Sequence, residues 1–175
     1  APVYFVSPGQ VNFQVPFEVE GGNALIRVVR DGIEGPVQQV AVADYAPGVF
    51  TYARTSTAID PIVIHADGSL VTPDRPARPG EVVIVFVTGI GSLTATPASG
   101  ARTPASPLPA ALTRALVTLG TTELVVHYAG LTPTFIGLGQ INIQIPAVLP
   151  AGASVPLVIR FGTAQSAPVQ LAVRP

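Results

Sequence analysis

Proline and glycine punctuate this chain so closely that the longest stretch free of both is Val49–Asp60, twelve residues. An isolated helix of roughly that length is only marginal in water, and an interior proline costs it about 3 kcal/mol. A helical bundle and a βαβ fold are therefore excluded. Disorder is excluded as well, because 48% of the residues are hydrophobic and only 11% are charged. An all-β protein remains, and 175 residues suffice for one large domain or two small ones.

Charge and residue usage remove whole classes of function. Nine basic and ten acidic residues are scattered singly, giving a net charge of −1. No basic stripe exists to neutralise phosphates, so a nucleic-acid partner is not expected. All nine basic residues are arginine, and the missing lysine excludes Schiff-base chemistry and Lys–Asn crosslinks. Cysteine is absent, which removes disulfides, thiol nucleophiles and thiolate metal sites together. No apolar run approaches the ~20 residues of a membrane-spanning helix. The start at Ala1 reads as that of a processed or excised segment.

Strands announce themselves by alternation between turn residues. Gln10–Val15 alternates and stops at Pro16; Ala24–Arg30 leads through Asp31-Gly32 to Val37–Val42; Ala66-Asp67-Gly68-Ser69 separates Ile62–His65 from Leu70-Val71. The β-branched run Val82–Val87 predicts a strand covered on both faces. Leu116–Leu119 and Glu123–Tyr128 read as a hairpin, and Gln140–Ile145, Val155–Phe161 and Ala167–Val173 complete the set.

An internal repeat organises these strands. Phe5-Val6-Ser7-Pro8-Gly9-Gln10-Val11-Asn12-Phe13-Gln14-Val15-Pro16 aligns with Phe135-Ile136-Gly137-Leu138-Gly139-Gln140-Ile141-Asn142-Ile143-Gln144-Ile145-Pro146, with six of twelve positions identical. The match continues through Gly22 with Gly152, Gly32 with Gly162, and Pro36-Val37-Gln38 with Pro168-Val169-Gln170. Two copies of one β-unit predict two tandem immunoglobulin-like β-sandwich domains, a short first unit over 1–45 and a second over 46–175. The first copy supplies four or five strands where such a sandwich wants about seven. Its apolar face then needs a cover: the second domain, upstream sequence, or a strand from another molecule.

Residues 94–109, rich in proline, serine and threonine, read as an extended surface loop whose composition also suits O-glycosylation. Catalytic groups are few. His65 and His127 sit in apolar strands without metal-ligand spacing. Asp60, Asp67 and Asp74 lack the spacing of a calcium loop, and Asp67 before Gly68 reads as a turn former. Gly89-Ile90-Gly91 follows a strand but opens no helix, so it is no phosphate cradle. No catalytic residue, metal ligand or cofactor is expected, and neither is an enzyme.

Alternation puts Gln10, Asn12 and Gln14 on one strand face, and likewise Gln140, Asn142 and Gln144. Such amide ladders can fasten neighbouring loops or bind sugar hydroxyls. Their presence in both copies favours the structural role. The glycan alternative adds the loops near Tyr45, Phe50 and Tyr52.

Ser7–Pro16, Ala46-Pro47-Gly48-Val49-Phe50, Ala66-Asp67-Gly68-Ser69-Leu70, Pro79-Gly80-Glu81-Val82-Val83, Thr88-Gly89-Ile90-Gly91 and Tyr128-Ala129-Gly130-Leu131-Thr132-Pro133 occur in that order. Together they resemble the uncharacterised C-terminal domain expanded in Solibacter and other Acidobacteria. The resemblance implies a tandem immunoglobulin-like module at the end of exported proteins, and it brings no catalytic residue. With little sequence ahead of the landmarks, a free-standing subunit is a further expectation. The expected function is that of an extracellular or cell-surface structural protein that assembles or adheres by β-strand addition, up to a filament. Expected partners are other copies, cell-surface proteins or glycans. Val3, Tyr4, Phe5 and Val6, or Val169, Leu171 and Val173, are the expected strand-exchange segments.

Overall fold

The computed structural model describes residues 1–149 and 152–174. No helix occurs among them, and every pair of named strands is antiparallel. The first unit holds β1 (Val3–Ser7), β2 (Gln10–Phe13), β3 (Gly22–Ile26), β4 (Val29–Arg30), β5 (Ile33–Glu34) and β6 (Gln38–Val42). These pair as three separate two-stranded ribbons, β1–β2, β3–β6 and β4–β5. The β4–β5 turn puts Asp31 and Gly32 at φ 51° and 79°, the left-handed pair that a two-residue hairpin needs. That small hairpin ends the anticipated Ala24–Arg30 strand at Ile26.

The second unit begins with β7 (Gly48–Val49), β8 (Thr51–Ala53), β9 (Ile59–Pro61), β10 (Val63–Ile64), β11 (Val82–Thr88) and β12 (Ala115–Leu119). It continues with β13 (Thr122–Glu123), β14 (Val125–Leu131), β15 (Gly139–Gln144), β16 (Ser154–Phe161), β17 (Ala164–Gln165) and β18 (Val169–Ala172). One five-stranded sheet runs β10-β11-β15-β14 with β7 also on β11; the other runs β13-β12-β16-β17 with β18 also on β16. Val83, Val85, Val87, Ile141 and Ile143 from the first sheet are fully buried, as are Val117, Leu119, Leu157, Ile159 and Phe161 from the second. These residues form one core cluster. Inward-facing alternate positions of two sheets sharing one core are the physics of a β-sandwich.

Two details depart from the strand reading. β11 buries Val83, Val85 and Val87 completely, whereas Ile84 and Phe86 on its other face are only half-buried. The run is thus fully covered on one side alone. The segment Glu123–Tyr128 is not one strand. β13 pairs with β12, the chain crosses at the buried Leu124, and β14 joins the opposite sheet beside β15.

The first unit is built differently. Not one hydrophobic side chain among residues 1–44 is buried. The first unit is therefore a set of ribbons without a core of its own. Its connection to the second unit is firm. Tyr45 stacks on Phe161 with ring centroids 6.3 Å apart, and its hydroxyl lies 2.6 Å from Thr113 Oγ1. The Ala46 amide donates to the Gly89 carbonyl at 3.0 Å.

Candidate functional site

Comparing equivalent positions of the repeat locates the candidate site. In the second copy Ile141, Ile143 and Ile145 are each 0% exposed; their counterparts Val11, Phe13 and Val15 are 38%, 37% and 54% exposed. The sequence pattern is the same, and only the environment differs. The contrast extends along the copy, with Leu25 and Val29 exposed where Val155 and Ile159 are buried. Fourteen large hydrophobics of residues 1–44 are exposed, against eight in the rest of the described chain. Exposed apolar side chains in that number on one short segment mark an interaction site more often than singly scattered ones do.

The amides explain why the second unit leaves this face open. Gln14 is buried, and its Oε1 accepts the Gly100 amide at 2.8 Å and the Tyr4 hydroxyl at 3.4 Å. Its side chain also lies against Gly137, where an added Cβ would sit 3.0 Å from Gln14 Cγ. Ser99 Oγ accepts the Phe17 amide at 2.9 Å and donates to Glu18 Oε2 at 2.6 Å, which holds the Glu18 carboxyl below its ordinary range. Residues 98–103 of the 94–109 loop therefore bridge the units, and Thr103 of that loop is buried, with its amide donating to Phe135 O at 2.8 Å. Because successive strand side chains point to opposite faces, docking through Gln14 turns Val11, Phe13 and Val15 away from the second unit.

The remaining amides make the same local bond in both copies: Gln10 Nε2 donates to Asn12 Oδ1 at 2.6 Å, and Gln140 Nε2 to Asn142 Oδ1 at 3.0 Å. Gln144 Nε2 donates to the Gly80 carbonyl at 3.3 Å.

The expected strand-exchange segments separate sharply. Val3, Tyr4, Phe5 and Val6 of β1 are 45–68% exposed, held to the molecule mainly by pairing with β2. Leu171 and Val173 are 0% and 1% exposed, and Val169 pairs with Leu157 in the β16–β18 ladder. Releasing β18 would open the core of the second unit, whereas β1 is already exposed. Of the three aromatics expected near a glycan, Tyr45 packs inward on Phe161, Tyr52 is half-buried, and Phe50 alone is exposed. They do not form one exposed platform.

The other polar groups serve turns. His65 is buried; its Nε2 donates to the Arg75 carbonyl at 3.2 Å and its Nδ1 lies 2.5 Å from Glu81 Oε1. Glu81 Oε2 in turn accepts the Arg78 amide at 3.0 Å. Both ring nitrogens are thus spent on tying the Arg75–Glu81 segment to β10. His127 is exposed on β14, at an open cleft of about 530 Å³ between β12 and β14 whose rim carries Arg114, Glu123 and Tyr128. Burial raises the Tyr128 phenol, and its hydroxyl reaches the Pro109 and Leu131 carbonyls, each at 2.9 Å. Among the described residues no group of three or more His, Cys, Asp or Glu is placed to hold a metal ion. No helix of these residues is long and apolar enough to cross a membrane.

No family model, curated protein or solved structure matches the chain. The site therefore has to be read from its own geometry.

Asp67 forms the turn expected of it. The Ser69 hydroxyl and amide donate to its Oδ1 at 2.7 and 3.0 Å, and Arg75 Nη2 donates to its Oδ2 at 2.6 Å. These Ser69 bonds, with Arg75 beside them, hold the Asp67 carboxyl well below the usual carboxylate range. A lowered folded-state pKa contributes stability that is complete above the unfolded value, about pH 4, and is lost as pH falls through the folded value. Asp67→Asn is accordingly expected to melt at a lower temperature than the parent at pH 7. The difference should shrink steadily on acidification below pH ~4. Thermal melts at a series of pH values read this directly, and a gap independent of pH would contradict it.

Proposed function

We propose that this chain is a non-enzymatic structural module, of the immunoglobulin-like kind used outside cells and on their surfaces, that assembles or adheres by β-strand addition to its first unit. One observation carries the reading: Val11, Phe13 and Val15 are exposed where the same repeat positions in the second unit are buried. The strand β2 bears the pattern of a sheet interior but, among the described residues, has a neighbour on one edge only. An added strand would satisfy that edge with main-chain hydrogen bonds and begin a cover for the apolar face. The resemblance to the C-terminal domain of exported acidobacterial proteins supports the extracellular setting.

Amide exchange on the dilute full chain, paired with sedimentation over a concentration series, tests the reading. Val11 and Phe13 should exchange fast while Ile141 and Ile143 in the same molecule exchange slowly. A monomer at every concentration with equal protection in the two copies would overturn it.

A further inference from the structure

The second unit records what its copy of the repeat requires as a neighbour. β15 lies between β14 and β11, and β11 supplies the Val83 and Val85 that pair with Ile143 and Ile141. The Ile145 amide donates to Glu81 O at 2.8 Å, and its carbonyl accepts the Gly80 amide at 2.9 Å. The hydrogen-bonding groups of Ile145 therefore face β11, and alternation along the strand gives Ile143 and Ile141 the same direction. In the first unit the Gln14 amide donates to Pro2 O at 2.9 Å, toward β1. By the same alternation the backbone groups of Val11, Phe13 and Val15 face the other edge, where no strand of the described residues lies. The repeat thus preserves side-chain pattern and backbone direction, and the β11 position is the one left empty.

Building on the strand-addition reading, we infer that the open edge of β2 accepts a strand of the β11 type: a segment patterned like Pro-Gly-Glu-Val-Val-Ile-Val-Phe-Val, uncharged beyond its glutamate and antiparallel to β2. In register it sets its counterpart of Val85 opposite Val11, its counterpart of Val83 opposite Phe13, and the carbonyl of its glutamate on the Val15 amide. Chemistry at the edge agrees. Residues 10–15 and 82–88 carry no charge, so pairing desolvates none. The edge also lacks the charged or proline guards that exposed strands ordinarily carry. A second copy of this chain is not the donor, because its own β11 is paired on both edges and fully buried at Val83, Val85 and Val87. The occupant is a separate segment of the same pattern.

The test adds a synthetic peptide with the sequence of residues 79–89 to the full chain, and follows amide exchange by NMR. The same peptide with its alternation scrambled serves as control. Binding should slow exchange at Val11, Phe13 and Val15 by about tenfold or more, and leave Ile141 and Ile143 unchanged. Val11→Pro removes only an outward amide, and Phe13→Glu places a charge on the apolar face. Each should weaken peptide binding by about tenfold or more, so the pair does not depend on one variant remaining folded. Equal protection by the scrambled peptide, or none by either, overturns the inference. If neither peptide protects the edge but self-association does, strand addition stands and this occupant falls. If the edge is already protected in the dilute monomer, both fall.

Discussion

Ile143→Ala is expected to destabilise the protein by about 2–5 kcal/mol, whereas Phe13→Ala, at the same place in the repeat, should cost about 1–2 kcal/mol although the side chain removed is larger. The difference has one physical origin. Ile143 is 0% exposed and packed in the core between the two sheets, so truncation removes apolar burial and leaves a cavity that rigid neighbours cannot fill. Phe13 is 37% exposed and lies outside the core cluster, so truncation removes less burial and leaves no enclosed cavity. Chemical denaturation of the two variants at low protein concentration measures both values. A large loss at Phe13 in the monomer would mean that the first unit buries this residue without help, and the assembly reading would lose its support.

The second large effect is predicted at Gly89. This residue has φ +67°, and a Cβ built on it would lie 1.8 Å from the Ala46 carbonyl oxygen. The left-handed conformation alone costs a non-glycine residue about 1–2 kcal/mol. The collision must in addition displace backbone that is hydrogen-bonded to Gly89 itself, so Gly89→Ala should lose at least ~3 kcal/mol. Gly68, also at positive φ (84°), has nothing within 4 Å of its Cβ position and supplies the control. Gly68→Ala should cost only the conformational part. Thermal or urea unfolding of the two variants separates strain from collision, and equal losses would refute the wedge at Ala46.

How far this was legible in the residues depends on what each pattern encodes. Alternation in Gln140–Ile145 and in Val155–Phe161 states which side chains face inward, and β15 and β16 bury those residues. Proline and glycine spacing excludes helices, and none forms among the described residues. The expected Asp67 and Asp31-Gly32 turns follow from local chemistry that needs no tertiary partner. By contrast, alternation in Gln10–Val15 says that a face should be buried without saying that a neighbour is present. The exposure of Val11 and Phe13 is therefore visible only in coordinates. Leu124 is similar: a run of strand-forming residues does not show that the chain changes sheets in its middle. The β-branched composition of Val82–Val87 signals burial but cannot tell full cover on one side from cover on both. Nor do residue types show that the β1 segment is exposed while the C-terminal one is buried, because both are short and apolar; the difference lies in Leu171 and Val173 closing the core. The role of Gly89 and Gly91 had a signal, two glycines directly after a strand, whose meaning is steric room for Tyr45 and Ala46.

The Tyr45–Ala46 connection also sets how the molecule responds to tension. Tyr45 is stacked on a core phenylalanine and Ala46 is wedged at the end of β11, so the tether between the units has no slack. A pull on residue 44 is delivered to Phe161 in one sheet and to Gly89, directly after β11, in the other. The load enters through both layers at once, rather than peeling a single strand from the rim.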